Sequence, residues 1–185
     1  MGMDATNRTV ADTLISMGEL LEIKGEDPFK IRAFYRAAEE IGRLPRSVAG
    51  MSIDELMEIR GVGKAIAQKI QDIVRTGTFP ELEKARETIP STLLELLDVP
   101  GIGPKTVNRL WNKLGILTLD DLERAARGHR IRAVSGFGEK KESDILEAIQ
   151  LHHSRSQRMT LLEAEKIITK TTAVLQPGTF AVAGS

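Results

Sequence analysis

The sequence predicts an all-α fold. Apolar residues recur at spacings of three and four, as on one face of a helix, over Val10, Leu14, Met17 and Leu21. The alternation of β-branched and polar residues that is typical of half-buried strands is almost absent before the last few positions. Capping residues, prolines and glycines stand at intervals that suit short helices. The 185 residues, 41% of them hydrophobic, suffice for two small domains with cores.

Local signals mark the ends of helices in the first half of the chain. Asp27 and Pro28 open a helix that runs to about Gly42, because proline is favoured at the first helical position. Ser52 and Glu55 have the spacing of a capping box, in which each side chain accepts a hydrogen bond from the other residue's amide. The sequence therefore predicts that helices begin at both places.

Later signals divide the chain into two domains. Residues 76–80 indicate a helix end and a turn, and residues 118–121 indicate a new helix start. We place the domain boundary near residues 86–92. This boundary separates two small helical domains.

The composition excludes several classes of protein. Acidic and basic side chains balance at 26 each, so a polyanionic partner must bind to a local patch, and residues 99–158 hold 11 basic against 7 acidic side chains. The absence of cysteine excludes disulfides, thiolate metal sites and cysteine nucleophiles. No apolar run approaches the ~20 residues that span a bilayer, and the N-terminus lacks the pattern of a signal peptide. We expect a cytoplasmic monomer without a membrane partner.

One pattern occurs three times. It consists of two apolar residues three positions apart, one further residue and Gly-apolar-Gly, with another apolar residue seven positions after the second glycine. The first glycines lie 40 and then 35 residues apart. The copies are Leu56, Ile59, Gly61, Val62, Gly63 and Ile70; Leu96, Val99, Gly101, Ile102, Gly103 and Leu110; and Ile131, Val134, Gly136, Phe137, Gly138 and Ile145. Three copies with matching flanks indicate a repeated structural unit.

The repeat predicts a helix, a tight turn and a second helix. The first glycine permits a positive φ at the reversal, and the second allows another molecule to approach the backbone where the next helix begins. Unpaired amides at a helix N-terminus attract anions, and a phosphate suits such a site. The alternative is that the hairpins only pack helices together. This alternative is strongest for the third copy, where Glu139 would repel an anion.

Such amides would contact the phosphate and sugar of a nucleic acid, so the protein would bind without reading the base sequence. Only seven aromatic residues are present, and most have the spacing of core residues. The sequence therefore predicts no platform of rings on which unpaired bases would stack. A duplex or a duplex junction is favoured as the partner over a long single strand.

Three segments resemble family X DNA polymerases, especially the bacterial and archaeal members. They are residues 25–38 (GEDPFKIRAFYRAA), 59–70 (IRGVGKAIAQKI) and 99–104 (VPGIGP). The resemblance covers nearly the whole chain. It implies that residues 1–86 form an N-terminal helical domain that binds the 5′-phosphate side of a gap in double-stranded DNA, and that residues 87–177 form a second helical domain that binds the primer side.

On this resemblance, residues 178–185 look like the first strand of the catalytic palm of the family, cut at the Gly-Ser that opens its nucleotidyltransferase motif. The carboxylates that hold Mg²⁺ for nucleotidyl transfer would lie beyond this point. We therefore expect the N-terminal, DNA-binding part of a longer Mg²⁺-dependent repair polymerase, and no polymerase activity in this chain alone.

The resemblance also implies which residues bind DNA and ions. Those that face the downstream 5′-phosphate are Lys30, Arg32, Arg36, Gly61, Gly63, Lys64 and Lys69. Those that face the primer strand are Gly101, Gly103, Lys105, Thr106 and Arg109, and the third copy adds Gly136 and Gly138. Backbone carbonyls of the hairpins bind Na⁺ or K⁺ in the family, and by position these belong to Met57, Ile59 and Val62, and to Leu97, Val99 and Ile102.

The resemblance further implies a candidate catalytic residue, Lys69, at the position of the lysine with which family members remove 5′-deoxyribose phosphate. The neutral amine attacks the sugar aldehyde, and the resulting iminium allows the phosphate to leave by β-elimination. The chain departs from the family at Phe34, which is usually tyrosine, and at Ala65 and Met57, which are lysines in eukaryotic members. The alternative is that Lys69 is a solvated lysine that contributes charge to DNA binding.

Two other functions remain open. A non-catalytic module that directs a ligase, a nuclease or a junction-processing enzyme to duplex DNA would use the same hairpins, but it would not favour a gap with a 5′-phosphate. A helical protein-interaction domain, in which the hairpins only pack, would have no affinity for DNA at low salt.

Overall fold

The computed structural model describes residues 6–154, which form helices and turns and contain no strand. The α-helices of this part are α1 (Asn7–Lys24), α2 (Pro28–Arg43), α3 (Ile53–Met57), α4 (Lys64–Thr76), α5 (Pro80–Thr88), α6 (Ser91–Glu95), α7 (Pro104–Leu114), α8 (Leu119–Arg127) and α9 (139–154), with short 3-10 helices at Val48–Gly50 and Leu96–Asp98. The predicted all-α class is confirmed. The predicted strand over residues 178–185 lies outside the described residues. No described helix has the length and hydropathy needed to cross a membrane.

The helix starts follow the local signals in the sequence. Asp27 caps α2 by accepting a hydrogen bond from an amide of its first turn. At α3, Ser52 and Glu55 each accept a hydrogen bond from the other's amide, at 3.3 and 2.8 Å respectively. Thr118 and Asp121 form the same reciprocal arrangement at α8. All three of these predicted helix starts are present.

The helices α1 and α2 form the most extensive helix pair of the described fold. Their close approach depends on Gly18, since a Cβ at this position would lie 2.8 Å from the ring of Tyr35. The ring of Phe34 on α2 stacks on that of Phe79, with centroids 6.3 Å apart. This stacking joins α2 to the segment that leads into α5.

Polar contacts join α7 to the C-terminal end of α1. The side-chain amide of Asn108 donates to the carbonyl of Ile23 at 2.8 Å, which satisfies one of the carbonyls left unpaired at a helix end. Nζ of Lys105 lies 3.7 Å from Oε1 of Glu22. The second repeat is therefore held against the first helix of the chain.

The third repeat differs from the prediction in its first element. Residues 131–134 form a hydrogen-bonded turn and not a helix, because α8 ends at Arg127 and the chain turns through His129 with a φ of 58°. The buried carboxylate of Glu142 on α9 holds this turn. It accepts hydrogen bonds from the amide of Arg132 at 3.0 Å and from its Nε at 2.6 Å, and it lies 3.0 Å from Nδ1 of His129.

Replacing Glu142 with glutamine is expected to lower the free energy of unfolding by about 1–3 kcal/mol, because buried donors lose a charged acceptor. Burial alone would raise the pKa of this carboxyl group, but the hydrogen bonds from Arg132 and His129 lower it from 4.5 to about 2. The charged form is thus the stabilising one. Its contribution is complete above pH 4.5 and is lost as the pH falls toward about 2.

Urea unfolding at pH 7 and at lower pH measures this contribution. Glu139→Gln is the matched control, since Glu139 is on the same helix with its side chain 81% exposed. The wild type should exceed Glu142→Gln in stability at pH 7, and the difference should shrink with acid. Equal stability of the two proteins at pH 7 would contradict the prediction.

Candidate nucleic-acid interface

The three repeats have turns with the same backbone. In each, the first glycine has a φ between +82° and +84°, which residues with side chains rarely adopt. The next residue is buried and donates its amide to the carbonyl three positions earlier, at 2.9–3.0 Å in every copy. The glycines are Gly61, Gly101 and Gly136, and the buried residues are Val62, Ile102 and Phe137. The sequence repeat is therefore a structural repeat.

The second glycine of the first two repeats opens onto the surface. Gly63 and Gly103 are the N-cap residues of α4 and α7, with φ of −90° and −98°. Neither helix has a side-chain cap in the described structure, and a Cβ on either glycine would meet nothing within 4 Å. The fold itself does not require glycine at these positions. The amides of Lys64 and Ala65 at the start of α4, and that of Lys105 at the start of α7, where Pro104 has none, are accordingly accessible to an anion.

An arginine side chain lies against two of the turns. A Cβ on Gly61 would be 2.6 Å from Cδ of Arg36, so this side chain of α2 covers the first turn. A Cβ on Gly136 would be 2.5 Å from Nη1 of Arg109, which belongs to α7. Glycine thus allows a cationic side chain to reach the backbone of each turn.

Half of the lysines and arginines in residues 6–154 have no carboxylate within 4 Å, and most of them lie beside the turns. Those beside the first turn are Arg36, Arg60 and Lys64, and those beside the other two are Arg109, Lys113, Arg130, Lys140 and Lys141. Arg32 lines a groove together with Lys105 and Arg109 of α7. Lys24 and Lys84 are elsewhere. A chain without net charge thus carries positive patches at its turns.

One aromatic side chain, that of Phe29, lies at the surface. It is 75% exposed, and the guanidinium carbon of Arg32 lies 4.5 Å from the centroid of its ring. The sequence held a signal for this exposure, since Phe29 lies off the stripe that contains Ile31 and Phe34. The neighbouring Lys30 is 3.9 Å from Glu26 and half exposed.

Lys69 is on α4 and forms an ion pair with Glu81 of α5. Its Nζ donates to Oε1 of Glu81 at 2.5 Å and lies 5.6 Å from the centroid of the ring of Phe79, and its side chain is 17% exposed. The hydrogen bond from Lys69 is the main cause that lowers the pKa of Glu81. Schiff-base chemistry requires that the ammonium leave this pair and lose its proton. The partner Glu81 was not predicted from the sequence.

The predicted residues of the second repeat lie on and beside the start of α7. Lys105 is exposed and close to Glu22, as described above. The amide of Thr106 donates to the carbonyl of Gly103 at 2.9 Å, and its side chain is half-buried. Arg109 is exposed one turn further along α7.

In the third repeat the start of the second helix is acidic. Gly138 is open, but Glu139 follows it, and Arg132 lies 3.4 Å from the Glu139 carboxylate. The position six residues after the second glycine also changes between repeats. It is occupied by Lys69, Arg109 and Asp144.

Comparison with known families agrees with this geometry. Residues 5–79 match a helix-hairpin-helix domain, and residues 93–151 match a SAM-like helix-hairpin-helix tandem. The first match contains the first turn, and the second match contains the other two. The chain is therefore a helix-hairpin-helix protein with three such turns.

Individual relatives indicate a more specific family among the helix-hairpin-helix proteins. The DNA polymerase/3′-5′ exonuclease PolX of Bacillus subtilis is 33% identical over 129 residues, which are 70% of this chain and 22% of that protein. DNA polymerase lambda of Arabidopsis thaliana is 27% identical over 179 residues (96% of this chain, 31% of the relative), and that of Rattus norvegicus is 24% identical over 178 residues (96% and 28%). The chain is thus a homologue of family X DNA polymerases and spans less than a third of these relatives.

Proposed function

We propose that the chain binds gapped or nicked double-stranded DNA through its sugar-phosphate backbone, as the N-terminal part of a family X repair polymerase. The observation that carries this proposal is the pair of uncapped helix starts at Gly63 and Gly103. Each of these helices also carries a cation without a carboxylate partner among the described residues, Lys64 on α4 and Arg109 on α7. Helix N-termini and cations bind phosphate without reading bases. The names of the relatives supply the polymerase context.

The two halves of the chain would bind different sides of the gap. The first turn, with Arg36, Lys64 and the exposed ring of Phe29, suits the downstream 5′-phosphate end, where a ring can stack on an end base. The second turn, with Lys105 and Arg109, suits the primer strand. Lys105 would exchange the carboxylate of Glu22 for a phosphate on binding.

The carbonyls of the first two turns suit a monovalent cation. The carbonyls of Ile59 and Val99 accept one hydrogen bond each from the turn, which leaves a second lone pair for an ion. In the first turn Met57, Ile59 and Val62 would hold the cation, and Leu97, Val99 and Ile102 would do so in the second. A bound cation would supply positive charge for a phosphate at the turn.

A second candidate function, removal of 5′-deoxyribose phosphate, is favoured by the shielded position of Lys69. The nitrogen would bond to the aldehyde carbon with loss of water and so form an iminium. Loss of a proton from the adjacent carbon then breaks the carbon–oxygen bond to the phosphate, and hydrolysis releases the lysine. The ion pair with Glu81 stabilises the ammonium form of Lys69, so this pair must break before the amine can attack.

The dependence of DNA affinity on salt tests the main proposal. We expect the logarithm of the association constant to fall against the logarithm of salt concentration with a slope of about −3 or steeper, because each neutralised phosphate contributes about −0.9. Fluorescence anisotropy with a labelled gapped duplex measures it. A flat response, or no binding at low salt, would favour a protein-interaction domain.

A second comparison separates a gap-binding polymerase region from a targeting module. The gapped duplex is prepared with and without its 5′-phosphate, and an intact duplex of the same length is the control. We expect the phosphorylated gap to bind about tenfold more tightly than the other two, a difference of about 1.4 kcal/mol. Equal affinity for all three would support the targeting module.

A further inference from the structure

Two clefts lie between the second and third repeats. One cleft of about 670 Å³ contains the third turn at Gly136 together with Arg109 and Lys113 of α7 and Arg130. The other contains the second turn at Gly101 together with residues of α9. Each turn thus meets the second helix of the other repeat, as in a pseudo-twofold arrangement.

The two clefts differ in charge. The second-turn cleft contains a carboxylate, that of Asp144, beside Lys140 and Lys141. The cleft at Gly136, here called the third-turn cleft, is lined by three cations and no carboxylate. Among the described residues, none of these three cations has an ion-pair partner within 4 Å. Three uncompensated charges at one concave surface repel each other unless an anion lies between them.

We propose that the third-turn cleft binds one phosphate of the DNA backbone, in addition to the phosphates at the helix starts of the first two turns. The third repeat would then contact DNA through its turn and not through the start of α9, where Glu139 repels an anion. Arg109 connects the two contacts, because it belongs to α7 and reaches Gly136. This inference rests on the proposed DNA binding and adds a site to it.

The salt dependence of DNA binding tests the cleft. The Lys113→Gln, Arg130→Gln double variant should reduce the steepness of the salt slope by about one unit, the effect of one lost phosphate contact. The control is the Lys24→Gln, Lys84→Gln double variant, which removes the same charge at exposed lysines away from the turns. Its slope should match that of the wild type. Circular dichroism and thermal unfolding verify that both variants fold.

Neutral phosphate analogues locate the contact on the DNA. A methylphosphonate is placed at each position of the duplex in turn, and binding is measured with the wild type and with the cleft variant. At one position, or at two neighbouring positions, the substitution should weaken the wild type about fivefold, or about 1 kcal/mol, and leave the cleft variant unaffected. A Ser135→Asp variant, which adds a carboxylate to the cleft, should bind DNA more weakly than the wild type and the cleft variant do.

The outcomes distinguish this site from the proposed function. If the wild type binds DNA with a steep salt slope and the cleft and control variants have equal slopes, the proposed phosphate site in the third-turn cleft is overturned. The proposal that the chain binds DNA is then unaffected. The same conclusion follows if every methylphosphonate substitution weakens DNA binding by the wild type and by the cleft variant to the same extent. If the wild type fails to bind DNA, both the proposed function and the proposed phosphate site are contradicted.

Discussion

The Gly63→Ser, Gly103→Ser double variant is expected to lose DNA binding while it keeps its stability. Both glycines have backbone angles that any residue adopts at an N-cap, and a Cβ on either meets nothing within 4 Å. Serine is a favourable N-cap residue, so stability should rise by a few tenths of a kcal/mol per helix. The new hydroxyl groups would occupy the same amides that a phosphate needs.

The dissociation constant for gapped DNA should therefore increase by about tenfold or more, which corresponds to about 1.4 kcal/mol. Thermal unfolding and fluorescence anisotropy on the same samples separate the two effects. Gly50→Ser is the matched control, because Gly50 is exposed, has open space at its Cβ and lies outside the repeats. Wild-type affinity in the double variant would mean that DNA does not contact these amides.

The first glycine of a repeat should behave in the opposite way. Gly61→Ala places a Cβ at a φ of +84° and against Cδ of Arg36. We expect a loss of about 1–3 kcal/mol of stability from the strained backbone. Glycine is thus required by the fold at this position, whereas two residues later the fold accepts other residues.

The second large effect is expected from the substitution of Lys69. Borohydride reduces an iminium to a stable amine, so an active lysine becomes covalently attached to an incised abasic duplex. Lys69→Ala is expected to abolish this adduct, while Lys84→Ala, an exposed lysine on α5, should retain it. A wild-type level of adduct in Lys69→Ala would exclude Lys69 as the nucleophile.

Glu81 provides a more specific test of the same chemistry. Glu81→Gln removes the carboxylate that holds the Lys69 ammonium in an ion pair. Trapping at neutral pH should be faster in this variant than in the wild type, because the Lys69 ammonium no longer has to leave a charged partner. Glu83→Gln, on the same helix and half exposed, is the control. An unchanged rate of trapping would show that the ion pair does not control the reaction.

Features with local causes could be predicted from the sequence. The capping boxes at Ser52 and Thr118 depend on residues three positions apart, and both are present. The three turns depend on glycine spacing and on one buried apolar residue each, and they too are present. These elements are determined within a few residues of chain.

Contacts between distant side chains could not be predicted in this way. Glu142 holds residues ten or more positions earlier, and its burial has no periodic signature. Glu81 lies on a different helix from Lys69, so its effect depends on how α4 and α5 pack. The contact of Asn108 with α1 likewise joins residues 85 positions apart. Each required the tertiary structure.

The position six residues after the second glycine has a wider consequence. The turn before it has the same geometry in all three repeats, although the residue is Lys69, Arg109 or Asp144. The backbone of the turn therefore does not depend on which side chain occupies this position. Copies of such a motif can differ in charge here while the turn itself stays the same.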